Sequence, residues 1–504
     1  MSKVLLVSAI LIPLAGSVTT FIWGHKGKKT VSIVSSAFTA ATFLAVVGLY
    51  VLFNQGQTLR AGLDIGLPFQ LALRADAFGM FLSLLSTSIW FLVTVYAVEY
   101  INSNKGLFAC FSLLSLYGML GVTLSENLFT LLIFFETFSL ASSILIMHDL
   151  SERAVRAAFQ YFFISVVGTA GLIVGTAILF SITGSIDLGG SGLSNLTGTT
   201  LGFLSFWLLV AGFGIKAGMF PTHVVMPQAY PVSPSAAVAL LSGVMTKVGT
   251  YGMIRVIYGV YGAKFLSGTS TSTILIVLAI ITMLGGSIAA ITQTEIKKML
   301  AYSSVAQIGY VLLGTSLLTA NALAGGLLHI LNHALMKSSL FLAVGAIIKK
   351  TGKQNLADLK GIGREMPITM TVITLSAISM IGVPPFLGFF SKWLLATGAM
   401  EASQLGVIAP WAAYAIVGVI ILSGLLNVIY YGPIVINGWF GGKEPKSAHG
   451  HGHEEHAPKE KVKLLEPSWV MVSPMLALST ATLLLGVYVK YPLKLIGMIV
   501  KHYF

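Results

Sequence analysis

The chain has 504 residues, of which 56% are hydrophobic and only 9% charged; ordinary soluble domains carry about 25% charged residues. That excludes a soluble globular protein, and the many apolar runs of about 20 residues exclude a β-barrel, whose strands are shorter and alternate. The formal charge of +13 fits lysines held in cytoplasmic loops rather than a nucleic-acid surface, and one cysteine, Cys110, is too few for iron–sulfur clusters or cysteine-rich zinc sites.

The composition points to an all-α polytopic membrane protein. No G-x-x-x-x-G-K-[ST] loop or strand-borne G-x-G-x-x-G occurs, so no cofactor is expected, and any energy comes from an ion gradient or a partner subunit. About fourteen transmembrane helices are expected, near 3–23, 30–53, 76–98, 106–124, 127–147, 155–182, 201–225, 232–260, 272–291, 299–318, 321–348, 367–400, 408–437 and 468–490. The first run, Val4–Phe21, lacks a small-residue cleavage site and reads as a retained helix. The twelfth and thirteenth runs are long, so they tilt or lie partly outside the hydrocarbon.

With the N-terminus outside, the inner loops collect Lys26, Lys28 and Lys29, Lys105, Arg153 and Arg156, Lys297 and Lys298, five cations from Lys349 to Arg364, and five lysines from Lys443 to Lys463. The outer loops between helices hold only Arg60, Arg74 and Lys264. This asymmetry predicts both termini outside a cell (inner) membrane.

The expected organisation is an N-terminal unit 1–105 (helices 1–3), five-helix units 106–260 (helices 4–8) and 261–440 (helices 9–13), an inner loop 441–467, and a last helix within 468–504. An odd number of helices makes the second unit enter the membrane from the opposite side, as inverted repeats require. Lys216 precedes Pro221 in the seventh span, whereas Lys392 follows Pro384–Pro385 in the twelfth. Prolines in these two spans suggest broken helices facing a polar cavity. The inner loop contains H-G-H-G-H-E-E-H, His449 to His456. It could bind zinc or nickel weakly, but a solvated linker is the better reading, and no metal site is assigned.

The ionisable residues at membrane depth are Glu136, Lys216, Lys247, His329, His333, Lys337 and Lys392, with His223 near the end of the seventh span as a cap candidate. Each lysine costs about 2.5–3.5 kcal/mol at the bilayer centre even on lenient scales, and ionisable groups at this depth are functional by default. Lys216 is the expected partner of Glu136. At about 4 Å and an effective dielectric near 20 the pair gains roughly 4 kcal/mol, so motion of the glutamate could switch the lysine between charged and neutral. Arginine could not serve, because it stays protonated. His329, His333 and Lys337 are spaced i, i+4, i+8, near one helix face. Groups spread over several helices suit a wire along the membrane better than one transport pocket.

Six stretches then acquire a common meaning: F-F-E-T-F-S-L, K-A-G-M-F-P-T-H-V-V-M-P-Q-A-Y, T-K-V-G-T-Y-G-M-I-R, E-I-K-K-M-L-A-Y-S-S-V-A-Q-I-G-Y, N-H-A-L-M-K-S-S-L-F-L and G-V-P-P-F-L-G-F-F-S-K-W. The chain resembles the proton-conducting, antiporter-like membrane subunits of complex I, Mrp antiporters and membrane-bound hydrogenases, over about residues 70–500. Gln228, Tyr230 and Lys392 are similar to the Mrp D-type branch and its hydrogenase relatives. The lack of a long lateral helix after residue 490 separates it from the largest complex I subunit. The resemblance implies fourteen helices, two inverted five-helix repeats, and breaks near Pro221 and Pro384. It implies a subunit among other membrane subunits, passing protons through half-channels joined by Glu136, Lys216, Lys247, His333, Lys337 and Lys392. It also implies redox chemistry, if any, in partners. Lysines and histidines suit protons better than sodium, which prefers oxygen ligands; sodium is the second candidate. The competing function is a stand-alone secondary transporter of a small solute.

Overall fold

A computed structural model describes the chain except for Met1 and residues 25–26, 67–68, 190–195, 197–198, 268 and 442–463. The His449–His456 tract lies outside the described residues.

Six helices come first: α1 (Ser2–Ile22), α2 (Lys28–Asn54), α3 (Ala77–Tyr100), α4 (Lys105–Thr123), α5 (Leu128–Ile146) and α6 (Glu152–Thr183). Between α2 and α3 a small antiparallel hairpin, β1 (Arg60–Leu63) with β2 (Leu71–Arg74), pairs Arg60 with Arg74. Several helices start where a polar side chain accepts a first-turn N–H: Asp76 from Gly79, Asn127 from Thr130, Ser151 from Ala154.

Then comes the first break. α7 (Thr200–Ala217) stops at Gly218, which has φ 80° and gives the left-handed cap that glycine tolerates best. A single tight turn follows at 222–224, and α8 (Val225–Val232) resumes the span. The next span is α9 (Ser235–Leu240), a π-helical turn at 241–245, α10 (Lys247–Ile254) and a second π-helical segment at 255–261. α11 (Ala263–Leu266), α12 (Ser270–Ile291), α13 (Ile296–Ser316) and α14 (Ala320–Thr351) lead to α15 (Ile362–Glu365). The second break joins α16 (Pro367–Ile381) to α17 (Leu387–Gln404) through Gly382, at φ 93°. The long twelfth run is therefore two half-helices rather than one tilted rod. α18 (Pro410–Phe440) and α19 (Trp469–Val487) follow.

Among the described residues, twelve helices are long and apolar enough to cross a membrane. Two of these spans, Ser235–Tyr261 and Ala320–Thr351, have their apolar windows 100% buried, against 28% for Lys28–Asn54 and Pro410–Phe440. The central pair carries Lys247 and the His329–His333–Lys337 series, so these ionisable groups face protein on every side.

The chain end differs from expectation. The last span stops at Val487, and α20 (Lys490–Tyr503) follows. It buries Ile496, Ile499 and Val500, and leaves Lys490, Lys494 and Lys501 exposed. This is a second short helix where one helix was expected within 468–504; its buried apolar positions recur at i, i+3, i+4, so one face packs on protein and the other is left polar.

Candidate functional site

Lys216 lies in the last turn of α7 and is 6% exposed. Its Nζ donates to Ser139 Oγ of α5 at 3.0 Å. Three rings surround it, with centroids 4.5 Å (Tyr161), 5.0 Å (Phe138) and 5.8 Å (Phe135) away. Ring faces of this kind attract a cation.

Glu136 is not the partner of Lys216: the ion pairs of the described residues leave Glu136 out. Ser139 comes three residues after Glu136, roughly 60° around the helix. Ser139 turns to α7, while Glu136 turns to an apolar groove of about 660 Å³ lined by Phe69, Phe129, Ile133, Ile173 and Phe180. One carboxylate oxygen, Oε1, is buried there with no hydrogen-bond partner. The expected pair is replaced by a hydroxyl contact on one side of α5 and a bare acid on the other.

Between Lys216 and the next lysine sits a cavity of about 20 Å³, lined by Tyr161, Lys216, Tyr230, Leu241 and Thr246. One water needs about 10–15 Å³ by this measure. Thr246 Oγ1 is 3.4 Å from Lys247 Nζ. Lys247 also donates to Ser242 O at 2.5 Å. The π-helical turn makes this possible: Thr246 N–H reaches back five residues to Leu241 O at 3.1 Å, and the shifted register turns the Ser242 carbonyl toward the amine.

From there polar contacts continue into the second unit, with one step between neighbouring residues of α13, Ser304 and Ser303. Ser242 Oγ lies 2.8 Å from Ser304 Oγ on α13. The preceding residue, Ser303, accepts from Lys337 Nζ at 2.9 Å. Lys337 also donates to Leu300 O at 3.0 Å and Tyr431 OH at 3.1 Å. Ser303 Oγ lies 3.1 Å from Tyr430 OH, which donates to Asn427 Oδ1 at 2.5 Å. Gln307 Nε2 reaches the same Asn427 oxygen at 3.4 Å, and its Oε1 lies 3.1 Å from His329 Nε2. His329 Nδ1 is 3.0 Å from Ser391 Oγ. Asn427 Nδ2 donates to Met380 O at 3.2 Å. Lys392 Nζ donates to the same Met380 O at 2.9 Å and to Ile381 O at 2.8 Å. Lys392 thus holds the last carbonyls of α16 across the break, where a cation is favoured by the helix dipole.

His333, midway between His329 and Lys337 on α14, has both ring nitrogens buried without a protein partner. Its ring stacks on that of His329 at 6.4 Å. His223 lies in the 222–224 turn, stacked on Phe220 at 5.6 Å; the cap of α7 is Gly218 instead.

Amines, imidazoles and hydroxyls can both give and take a proton. Asn427, Gln307 and backbone carbonyls orient their neighbours but do not carry protons near neutral pH. The linking serines, tyrosines and amides were not singled out from the sequence. One usable signal was present: Asn427, Tyr430 and Tyr431 are spaced i, i+3, i+4 on α18. Also missed was the buried Arg255, in the second π-helical segment. Its guanidinium donates to Asp76 Oδ1 at 2.5 Å, and to Tyr251 and Tyr503.

A sequence profile of the family described as NADH:quinone oxidoreductase/Mrp antiporter, transmembrane, matches residues 125–418, which hold all seven ionisable residues above. The chain belongs to this family. It is 35% identical to the N-type subunit of the NADH-quinone oxidoreductase of Desulforudis audaxviator over 402 residues, covering 78% of this chain and 77% of that protein. It is 30% identical to the D-type subunit of the Na(+)/H(+) antiporter of Alkalihalophilus pseudofirmus over 493 residues, 96% and 93% of the two chains. The antiporter-like protein also shares its fold with a chain of the Mrp complex from Dietzia sp. DQ12-45-1b. There the TM-score is 0.84 at 24% identity, with 98% and 97% of the chains covered. Relatives of both the quinone-linked and the Mrp type therefore stand beside it.

Proposed function

We propose that this antiporter-like protein moves protons across a membrane as one subunit of a multisubunit complex, redox-driven or of Mrp type. The observation that carries this reading is the buried, nearly continuous polar chain from Lys216 through Lys247 and Lys337 to His329 and Lys392, whose central members lie on the two fully buried spans.

In this reading Lys216 is the switching group. A hydroxyl and ring faces can be exchanged for water at small cost, so the amine is free to give its proton to the cavity toward Thr246 and Lys247. Lys247, Lys337 and His329 pass the charge change along. Water around His333 bridges the gaps between them; leaving its two nitrogens bare would cost about 1–3 kcal/mol each. Glu136 acts from its outward groove, where a neighbouring membrane subunit would supply the charge that biases it. The two breaks, each beside a lysine, are consistent with fourteen passes and inverted units 106–260 and 261–440. N-terminus and C-terminus outside is the orientation supported by the loop cations. Protons are the proposed ion, because among the described residues the path is built from amines, imidazoles and hydroxyls rather than a cluster of carboxylate ligands.

The test is proton uptake by proteoliposomes holding the native complex, driven by its own substrate or gradient. Loss of uptake with Lys337→Ala, in a complex that still assembles, is expected. Isolation of the chain alone with solute-stimulated transport would overturn the reading.

A further inference from the structure

The half-helix α16 begins without a cap of its own. Pro367 at its first position has no N–H, and Met366 makes no side-chain bond to the first turn. The next two backbone donors, Ile368 N–H and Thr369 N–H, both go to Glu466 Oε1, at 2.5 and 3.0 Å. The Thr369 hydroxyl donates to Glu466 Oε2 at 2.7 Å. A carboxylate 97 residues downstream of Thr369 therefore does what a local serine or aspartate usually does at a helix start. Its neighbours are tied down as well. Leu465 N–H donates to Glu365 O at 2.8 Å, and Ser468 Oγ bonds the Glu99 carboxylate at the end of α3. The carbonyl of Glu99 in turn accepts from Lys349 of α14. Residues 464–468 form a strap that runs from α3 and α19 onto the start of α16.

The far end of the same half-helix carries the carbonyls that hold Lys392. The two ends are joined by one short rod of 15 residues, about 22 Å long. A carboxylate sits at its positive end and an ammonium at its negative end, both in the orientation the helix dipole favours. Along the rod, Ser376 and Ser379 bond Ser339 and Asn332 of α14, each at 2.7 Å.

We propose that Glu466 is the positioning residue of the second break: by clamping the start of α16 it fixes where the Met380 and Ile381 carbonyls meet Lys392. The importance of Lys392 for transport rests on the function proposed above; the mechanical link does not. Neither the charged axis nor the two prolines of the break contains Glu466.

The test uses the assembled native complex with Glu466→Ala and Glu466→Gln, reading hydrogen–deuterium exchange and proton transport together. With Glu466→Ala, amides of 376–382 should exchange about tenfold faster, the size of a lost charged cap, while those of 469–487 are unchanged. Transport should fall by about fivefold or more. Glu466→Gln keeps an oxygen for the two N–H groups and should recover most of both. Should the alanine variant fail to assemble, the glutamine variant carries the test, with exchange at 376–382 about two- to threefold faster. Unchanged exchange at 376–382 in the assembled alanine variant, or in the glutamine variant where the alanine variant does not assemble, overturns the clamp. Faster exchange with normal transport upholds the clamp and overturns the use of Lys392 instead.

Discussion

The two broken helices hold their lysines differently. Lys216 meets one hydroxyl, three rings and a cavity of about 20 Å³. Lys392 meets two backbone carbonyls at a helix end and one ring, that of Tyr310 at 5.0 Å, beside a web of serine, tyrosine, asparagine and glutamine. Groups such as rings and a single hydroxyl hold a charge loosely, whereas paired helix-terminal carbonyls hold it in place. In the proposed function, this contrast is the reason for placing the moving step at the first break and the fixed end of the path at the second. Near the first break Glu136 keeps one buried oxygen unbonded, whereas the half-helix at the second is bonded at its start by Glu466.

The largest effect is expected at Lys216. Lys216→Ala should reduce proton transport by about a hundredfold or more, the scale of a lost acid–base group, with assembly on native gels unchanged. Normal transport would remove Lys216 from the path. Glu136→Gln comes next. It keeps the shape of the side chain but removes its charge, and about a tenfold loss of coupling is expected; unchanged coupling would leave Glu136 a structural residue facing an apolar groove.

Ser303→Ala tests the web around Lys337. Its hydroxyl is shared by Lys337, Tyr430 and Tyr431, so one substitution loosens three contacts. Transport should slow about three- to tenfold, as expected for about 1 kcal/mol per hydrogen bond. No change would mean that the web around Lys337 is scaffolding only.

The smallest effect concerns stability rather than transport. Burial raises the Asp76 carboxyl, but the Arg255 guanidinium beside it outweighs this and holds it at about 2, below its ordinary 3.8. A depressed acid stabilises the fold above its unfolded value and loses that contribution as pH falls through the folded one. Thermal stability of the wild type should therefore drop between about pH 4 and pH 2, and the drop should shrink in Asp76→Asn. Equal drops in both proteins would separate Asp76 from acid lability.

Much of the site was legible because charge at membrane depth is rare. Lysines and histidines in apolar runs stand out one by one, and His329, His333 and Lys337 were already on one face by spacing. The breaks were legible from Pro221 and Pro384–Pro385. The partners of those charges were not. Serines such as Ser139, Ser242 and Ser303 are common in membrane helices, where they bond their own backbone, so nothing in the sequence marks the few that face a lysine. Nor does helix spacing alone say which neighbour a residue turns to; Ser139, three positions after Glu136, is the one that meets Lys216. Glu466 caps a helix about a hundred residues away, a contact made by tertiary packing alone, and the π-helical turns beside Lys247 and Arg255 leave no mark in hydropathy.

The claim that Lys216 must release its proton is tested most directly by Lys216→Arg in the native complex. Arginine keeps the positive charge and can still bond Ser139, but it does not deprotonate. Proton transport by the assembled variant should fall to the level of Lys216→Ala. Transport at the wild-type rate would contradict the switch, and leave Lys216 a fixed charge beside a path that runs elsewhere.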